Sequence, residues 1–137
     1  MSSEHEIPAV SAETLAAFRG KQEAVIRQVA ERALAREQEV AHHGDQAERL
    51  VTSGLKFTSR MLDAAMAVGE VSLLEDQLTW AMERLPHDGV VPAHILNRLR
   101  IYREVVGETL PERHANEIEP YLTWMIARQK ELLEERS

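Results

Sequence analysis

The chain has 137 residues, 44% of them hydrophobic, which is the length of one ordinary domain with enough apolar material for a packed core. Sixteen basic against 23 acidic residues give a net charge of -7, which argues against a general nucleic-acid binder with a basic face. The absence of cysteine excludes disulfides, thiolate zinc sites and thiol chemistry; no apolar run approaches the ~20 residues that cross a bilayer, and the acidic, polar start is not a secretory signal. The expectation is therefore a cytoplasmic protein without membrane or nucleic-acid partners.

Six glycines and five prolines punctuate the chain, and the stretches between them repeat at i, i+3, i+4, i+7, without a convincing strand alternation. The first helix is expected to open near Ser11, with Glu13 at the positive end of its dipole. Its stripe is Leu15, Phe18, Gln22, Val25, Ile26, Val29 and Ala33, spread over roughly a 100° arc. Gly20 weakens it by about 1 kcal/mol relative to alanine, and His42-His43-Gly44 ends it. The second helix starts at Asp45 with Glu48 as a variant capping box. Its apolar residues, from Leu50 and Val51 to Met66 and Val68, cover about half its circumference, which places it at the centre of the domain, buried on two sides. Gly69 stops it as a C′ residue would.

A second box, Ser72 with Glu75, opens the third helix, with the stripe Leu73, Leu74, Gln77, Leu78, Ala81 and Leu85 and with Trp80 at its margin. Pro86-His87-Asp88-Gly89 is a turn. Pro92 suits the first position of the fourth helix, which presents Ile95, Leu96, Leu99, Tyr102 and Val106 on one face and is ended or bent by Gly107. The fifth opens with Thr109-Leu110-Pro111-Glu112 as a third box. Its stripe is Ile118, Tyr121, Leu122, Met125, Ile126, Gln129, Leu132 and Leu133, with Pro120 expected to kink or restart it. The reading is one all-α, five-helix, globin-like or helical-bundle domain over residues 1–137. About 1–10 are expected to be disordered and about 134–137 frayed, and sequential helices should pack as neighbours.

Candidate chemistry is sparse. His42 and His43 lie near Asp45 and Glu48, residue types that bind divalent metals, but adjacent side chains at a helix end diverge. His87 is the candidate axial ligand for a haem, although it follows a proline in an open turn. No Glu-x-x-His pair supports a di-iron bundle, and no nucleophile elbow or phosphate-cradling glycine loop occurs. Thr58 and Gln77 are polar residues inside apolar stripes, and an unpaired one costs on the order of 1–3 kcal/mol when buried. Thr58 can bond its own backbone, whereas Gln77 needs a partner, a water or a ligand. Thr58, Gln77 and Trp80 therefore mark a possible ligand cavity at the second and third helices. Ile101, Val105 and Trp124 fall off the main stripes of the last two helices. With Tyr121 they are the expected homodimer interface, since two-fold dimers are the commonest oligomer.

The segment Leu55-Lys56-Phe57-Thr58-Ser59-Arg60-Met61-Leu62-Asp63-Ala64-Ala65-Met66, with Gly69, Leu78-Thr79-Trp80-Ala81 and Leu110-Pro111-Glu112, is similar to N-terminal helical domains of bacterial cobalamin-binding regulators. It also resembles the non-haem globin sensor domains of stressosome regulators, over residues 46–130. The resemblance implies a dimeric input module in bacterial signal transduction. Two departures from the family are expected: the sequence carries no segment read as an output domain, and the short third helix has no histidine; the second favours a haem-free reading. The expected function is a haem-free sensory or regulatory module, not an enzyme. It would act without a cofactor, through homodimerisation and contact with an output-domain or regulatory partner. The alternatives are a haem- or tetrapyrrole-binding gas sensor using His87 and a metal-dependent enzyme using the His42/His43 region.

Overall fold

The computed structural model describes residues 7–36, 45–84 and 92–136, which form five α-helices with no strand among the described residues. α1 spans Ala12–Arg36, α2 Asp45–Val68, α3 Ser72–Arg84, α4 Pro92–Thr109 and α5 Glu112–Arg136. The architecture is an all-α helical bundle.

Ser11 caps α1: its Oγ accepts the Thr14 N–H at 3.1 Å, the local bond for which serine is favoured at a helix start. The buried face is Thr14, Phe18, Val25, Ile26, Val29, Ala30 and Ala33, while Leu15 and Gln22 are only half-buried. α1 packs against α2, α4 and α5, and α5 packs closely against α1, α3 and α4 and lightly against α2. These two helices, not α2, are the middle of the bundle. α2 buries Val51, Leu55, Leu62, Ala65 and Met66 on one side but leaves Leu50, Phe57 and Val68 exposed. The apolar width that suggested two-sided burial is thus half unused within the single chain. α3 packs on α2 and α5 rather than on α4, its neighbour in sequence.

α4 overturns the expected dimer surface. It lies against both α1 and α5, so it needs an apolar face wide enough for two neighbours. Ile101, Val105 and Tyr121 are 1%, 0% and 0% exposed within one chain, and Trp124 is half-buried against the same core. Residues that looked surplus on a one-sided helix cover the protein's own interior.

Several boundaries also differ from expectation. α4 continues past Gly107 to Thr109, so Thr109 belongs to α4, and the first α5 bonds run from His114 and Ala115 N–H to the Pro111 carbonyl. In α3 the Val71 carbonyl accepts the N–H groups of Leu74 and Glu75, which puts Ser72 inside the first turn. Glu75 does not cap; its carboxylate accepts the Arg128 Nε–H at 2.8 Å, tying α3 to α5. α5 runs through Pro120 without a restart and extends to Arg136 instead of fraying at 134. Pro120 and Asn116 are exposed, so the Asn116 carbonyl, which loses its N–H partner to proline, can turn to water.

The end of α2 is closed by the N-terminal segment. Gly69 adopts φ +70° and the Glu70 N–H bonds the Ala65 carbonyl, the long bond of a Schellman ending. The Met66 carbonyl, orphaned at this helix end, accepts the Val10 N–H at 3.0 Å. Tyr121 Oη donates to the Pro8 carbonyl at 2.7 Å from the other side. Residues 7–10 are therefore docked, with Ile7 and Val10 packed on the core, where disorder was expected.

Candidate functional site

The best-formed concavity lies where α2, α3 and the start of α4 diverge. It encloses about 310 Å³, at the lower end of the ~300–1,000 Å³ typical of small-molecule sites. Leu55, Leu78, Ala81, Ile95 and Leu99 form apolar wall, and Thr58, Gln77 and Trp80 line it as well. Gly54 opens it: a methyl group there would meet nothing within 4 Å. Phe57 and Trp80 stand at the rim with ring centroids 5.8 Å apart, both more than a third exposed. Arg60 and Arg98 supply the cationic part of the lining.

The polar atoms of this pocket are only partly satisfied. Gln77 Nε2 donates to Thr58 Oγ1 at 3.0 Å, so Thr58 serves as the partner of Gln77. Gln77 Oε1 is buried with no hydrogen-bond partner. Since Gln77 itself is 8% exposed, its unused acceptor is a polar handle in an otherwise apolar wall. Tyr102 at the base donates to or accepts from Ser59 at 2.7 Å, and burial holds its phenol ionisation well above the ordinary value. It stays a neutral hydroxyl, unsuited to act as an anionic ligand.

A second polar cluster joins the starts of α1 and α5. Thr14 Oγ1 donates to Glu117 Oε2 and lies 2.7 Å from His114 Nδ1. With the Thr14 proton committed to the carboxylate, His114 carries its own proton on Nδ1 and donates to Thr14. Ser11 N–H and Oγ–H also reach the Glu117 carboxylate, at 2.7 and 3.1 Å. These donors, the Thr14 hydroxyl first, hold the Glu117 carboxyl below its usual range. Thr14 is 0% and His114 6% exposed, so no substrate reaches the hydroxyl and the cluster fastens two helix starts together. Its sequence signal was a pair of i, i+3 polar spacings, Ser11/Thr14 and His114/Glu117, which only the fold sets opposite each other.

His42, His43 and His87, the candidate metal and haem ligands, lie outside the described residues. Among the described residues no group of three or more histidines, aspartates or glutamates could hold a metal ion. No described helix is long and apolar enough to cross a membrane. Among known proteins, no family model matches the chain, and no curated relative matches it.

Proposed function

We propose that the chain is a haem-free regulatory module that takes up a small, mainly apolar ligand between α2, α3 and α4 and reports it as a change in helix packing. The reading is supported above all by a pocket of ligand size that retains one unpartnered buried acceptor, Gln77 Oε1. Apolar walls supply affinity by removing ligand surface from water, at about 25 cal/mol per Å². Gln77 and the two arginines select a head group that donates a hydrogen bond or carries negative charge. The likeness to non-haem globin sensor domains points the same way. Helices α3 and α4 touch little directly, so a ligand bridging them favours one spacing over another, which is how binding energy becomes a signal.

Anilinonaphthalene sulfonate, an apolar bicycle bearing one anion, tests this directly. The expected result is saturable binding of one dye per chain with energy transfer from Trp80. Gly54→Leu, whose Cβ meets nothing within 4 Å, should abolish it while leaving the far-ultraviolet dichroism unchanged. Dye binding that is absent from the native chain, or identical in Gly54→Leu, would overturn the reading.

A further inference from the structure

Every large exposed hydrophobic side chain among the described residues, Leu50, Phe57, Val68 and Trp80, sits on α2 or α3. None is on α4 or α5, whose outer groove is lined by Arg100, Arg103, Glu104, Glu112, Asn116 and Glu119 along with smaller apolar groups. On α2, Leu50 and Phe57 fall within about 20° of each other on the helix circumference, and Trp80 of α3 meets Phe57 across the gap. The result is an apolar seam running between two helices.

Charges of opposite sign flank this seam. On α2, the exposed Arg49 and Lys56 lie roughly 80–110° round from the seam, on the side away from α3, and Arg60 on the same flank also reaches the pocket lining. On α3, the exposed Asp76 and Glu83 lie roughly 40–60° beyond Trp80, on the side away from α2. The inner side of each helix is fixed by the Gln77–Thr58 bond that joins them. The surface therefore reads basic edge, apolar centre, acidic edge. Of the acids of α2, Asp63 is already engaged by Arg19 of α1, while Glu48 shares a depression with Arg49 and Lys56 and leaves that edge net basic; Arg84 at the end of α3 also has a partner.

We infer that this face binds a second copy of the chain about a two-fold axis. A two-fold lays α2 of one protomer on α3 of its partner, so each basic edge meets an acidic edge and the seams of Leu50, Phe57 and Trp80 bury each other. Such a surface is self-complementary, the requirement of an isologous interface. An edge pattern with both signs has no reason to prefer a partner of uniform charge, and like-charged juxtaposition rejects a copy docked in parallel. The inference goes beyond ligand uptake, but it shares that surface: Leu50, Phe57 and Trp80 also line the pocket, so pairing covers its mouth and competes with a ligand.

Sedimentation of the full chain without ligand tests the pairing. The native chain should run at twice 15.5 kDa and dissociate on dilution, more readily at high salt. Trp80→Glu should leave a folded monomer. Arg49→Glu/Lys56→Glu on α2 and Asp76→Lys/Glu83→Lys on α3 should each give a monomer alone. Mixed together they should form a heterodimer, because one chain is then acidic on both edges and the other basic on both. Dichroism checks the fold of each variant, and Trp80→Ser replaces Trp80→Glu if the latter unfolds. A native chain that stays at 15.5 kDa at all concentrations overturns the inference. So does a dimer that survives both the seam variant and the two edge variants.

Discussion

Among the described residues, Gly69 is the one whose backbone demands glycine. Its φ of +70° disfavours any side chain, and a Cβ would come within 3.0 Å of the Ala9 nitrogen and 3.2 Å of the Ile7 carbonyl oxygen. Both neighbours are backbone, which cannot rotate away. Gly69→Ala should therefore destabilise the protein by about 1–3 kcal/mol in urea titrations, and residues 7–10 should become sensitive to proteolysis. Glu117 gives a second residue-level expectation. Its folded carboxyl titrates below the ordinary 4.5 because Thr14 and Ser11 donate to the charged form. The stabilisation is complete above 4.5 and is lost as pH falls through the lower folded value. The urea midpoint should fall more steeply below pH 4.5 in the native chain than in Glu117→Gln. Equal slopes would remove Glu117 from the acid response.

At the scale of elements, Pro120 interrupts the hydrogen-bond ladder of α5 while the helix stays continuous, because it lies on the wet face. Pro120→Ala restores one backbone donor and removes a ring clash. It should stabilise the protein by about 1–2 kcal/mol, and thermal unfolding should shift upward by several degrees. The stripes of α5 and α1 were legible in the sequence because each helix presents one main apolar arc, and Ile118 to Leu132 fall where periodicity puts them. α4 was misjudged because periodicity counts apolar residues without saying how many neighbours they meet. Ile101 and Val105 are surplus on a one-neighbour helix and necessary on one wedged between α1 and α5. The capping pattern Ser72/Glu75 failed for a similar reason: Arg128, 53 positions away, competes for the same carboxylate and wins. Here both partners are ionised, whereas a cap would pair the carboxylate with a neutral backbone N–H.

Across the whole molecule, helix number and order could be read from the sequence, and the neighbour relations could not. Thr58, Gln77 and Trp80 were singled out as polar or marginal residues in apolar stripes, and the fold places all three round one pocket. That signal existed because a buried amide must find a partner somewhere. The Ser11–Thr14–His114–Glu117 cluster left no comparable trace, since its halves lie about a hundred positions apart. Exposed Phe57 and Leu50 were hidden by the assumption that so apolar a helix must be enclosed.

That distance along the chain has a consequence for biosynthesis. A ribosome delivers α1 long before α5, yet the carboxylate that accepts from Ser11 and the phenol that grips residues 7 and 8 both belong to α5. Closing so long a loop is slow, and until it closes the early helices show their oily sides to the cytosol or to whatever fluid surrounds the nascent polypeptide. The early helices therefore complete their packing only once α5 has been made, and a pause within α5 leaves an intermediate with exposed apolar surface.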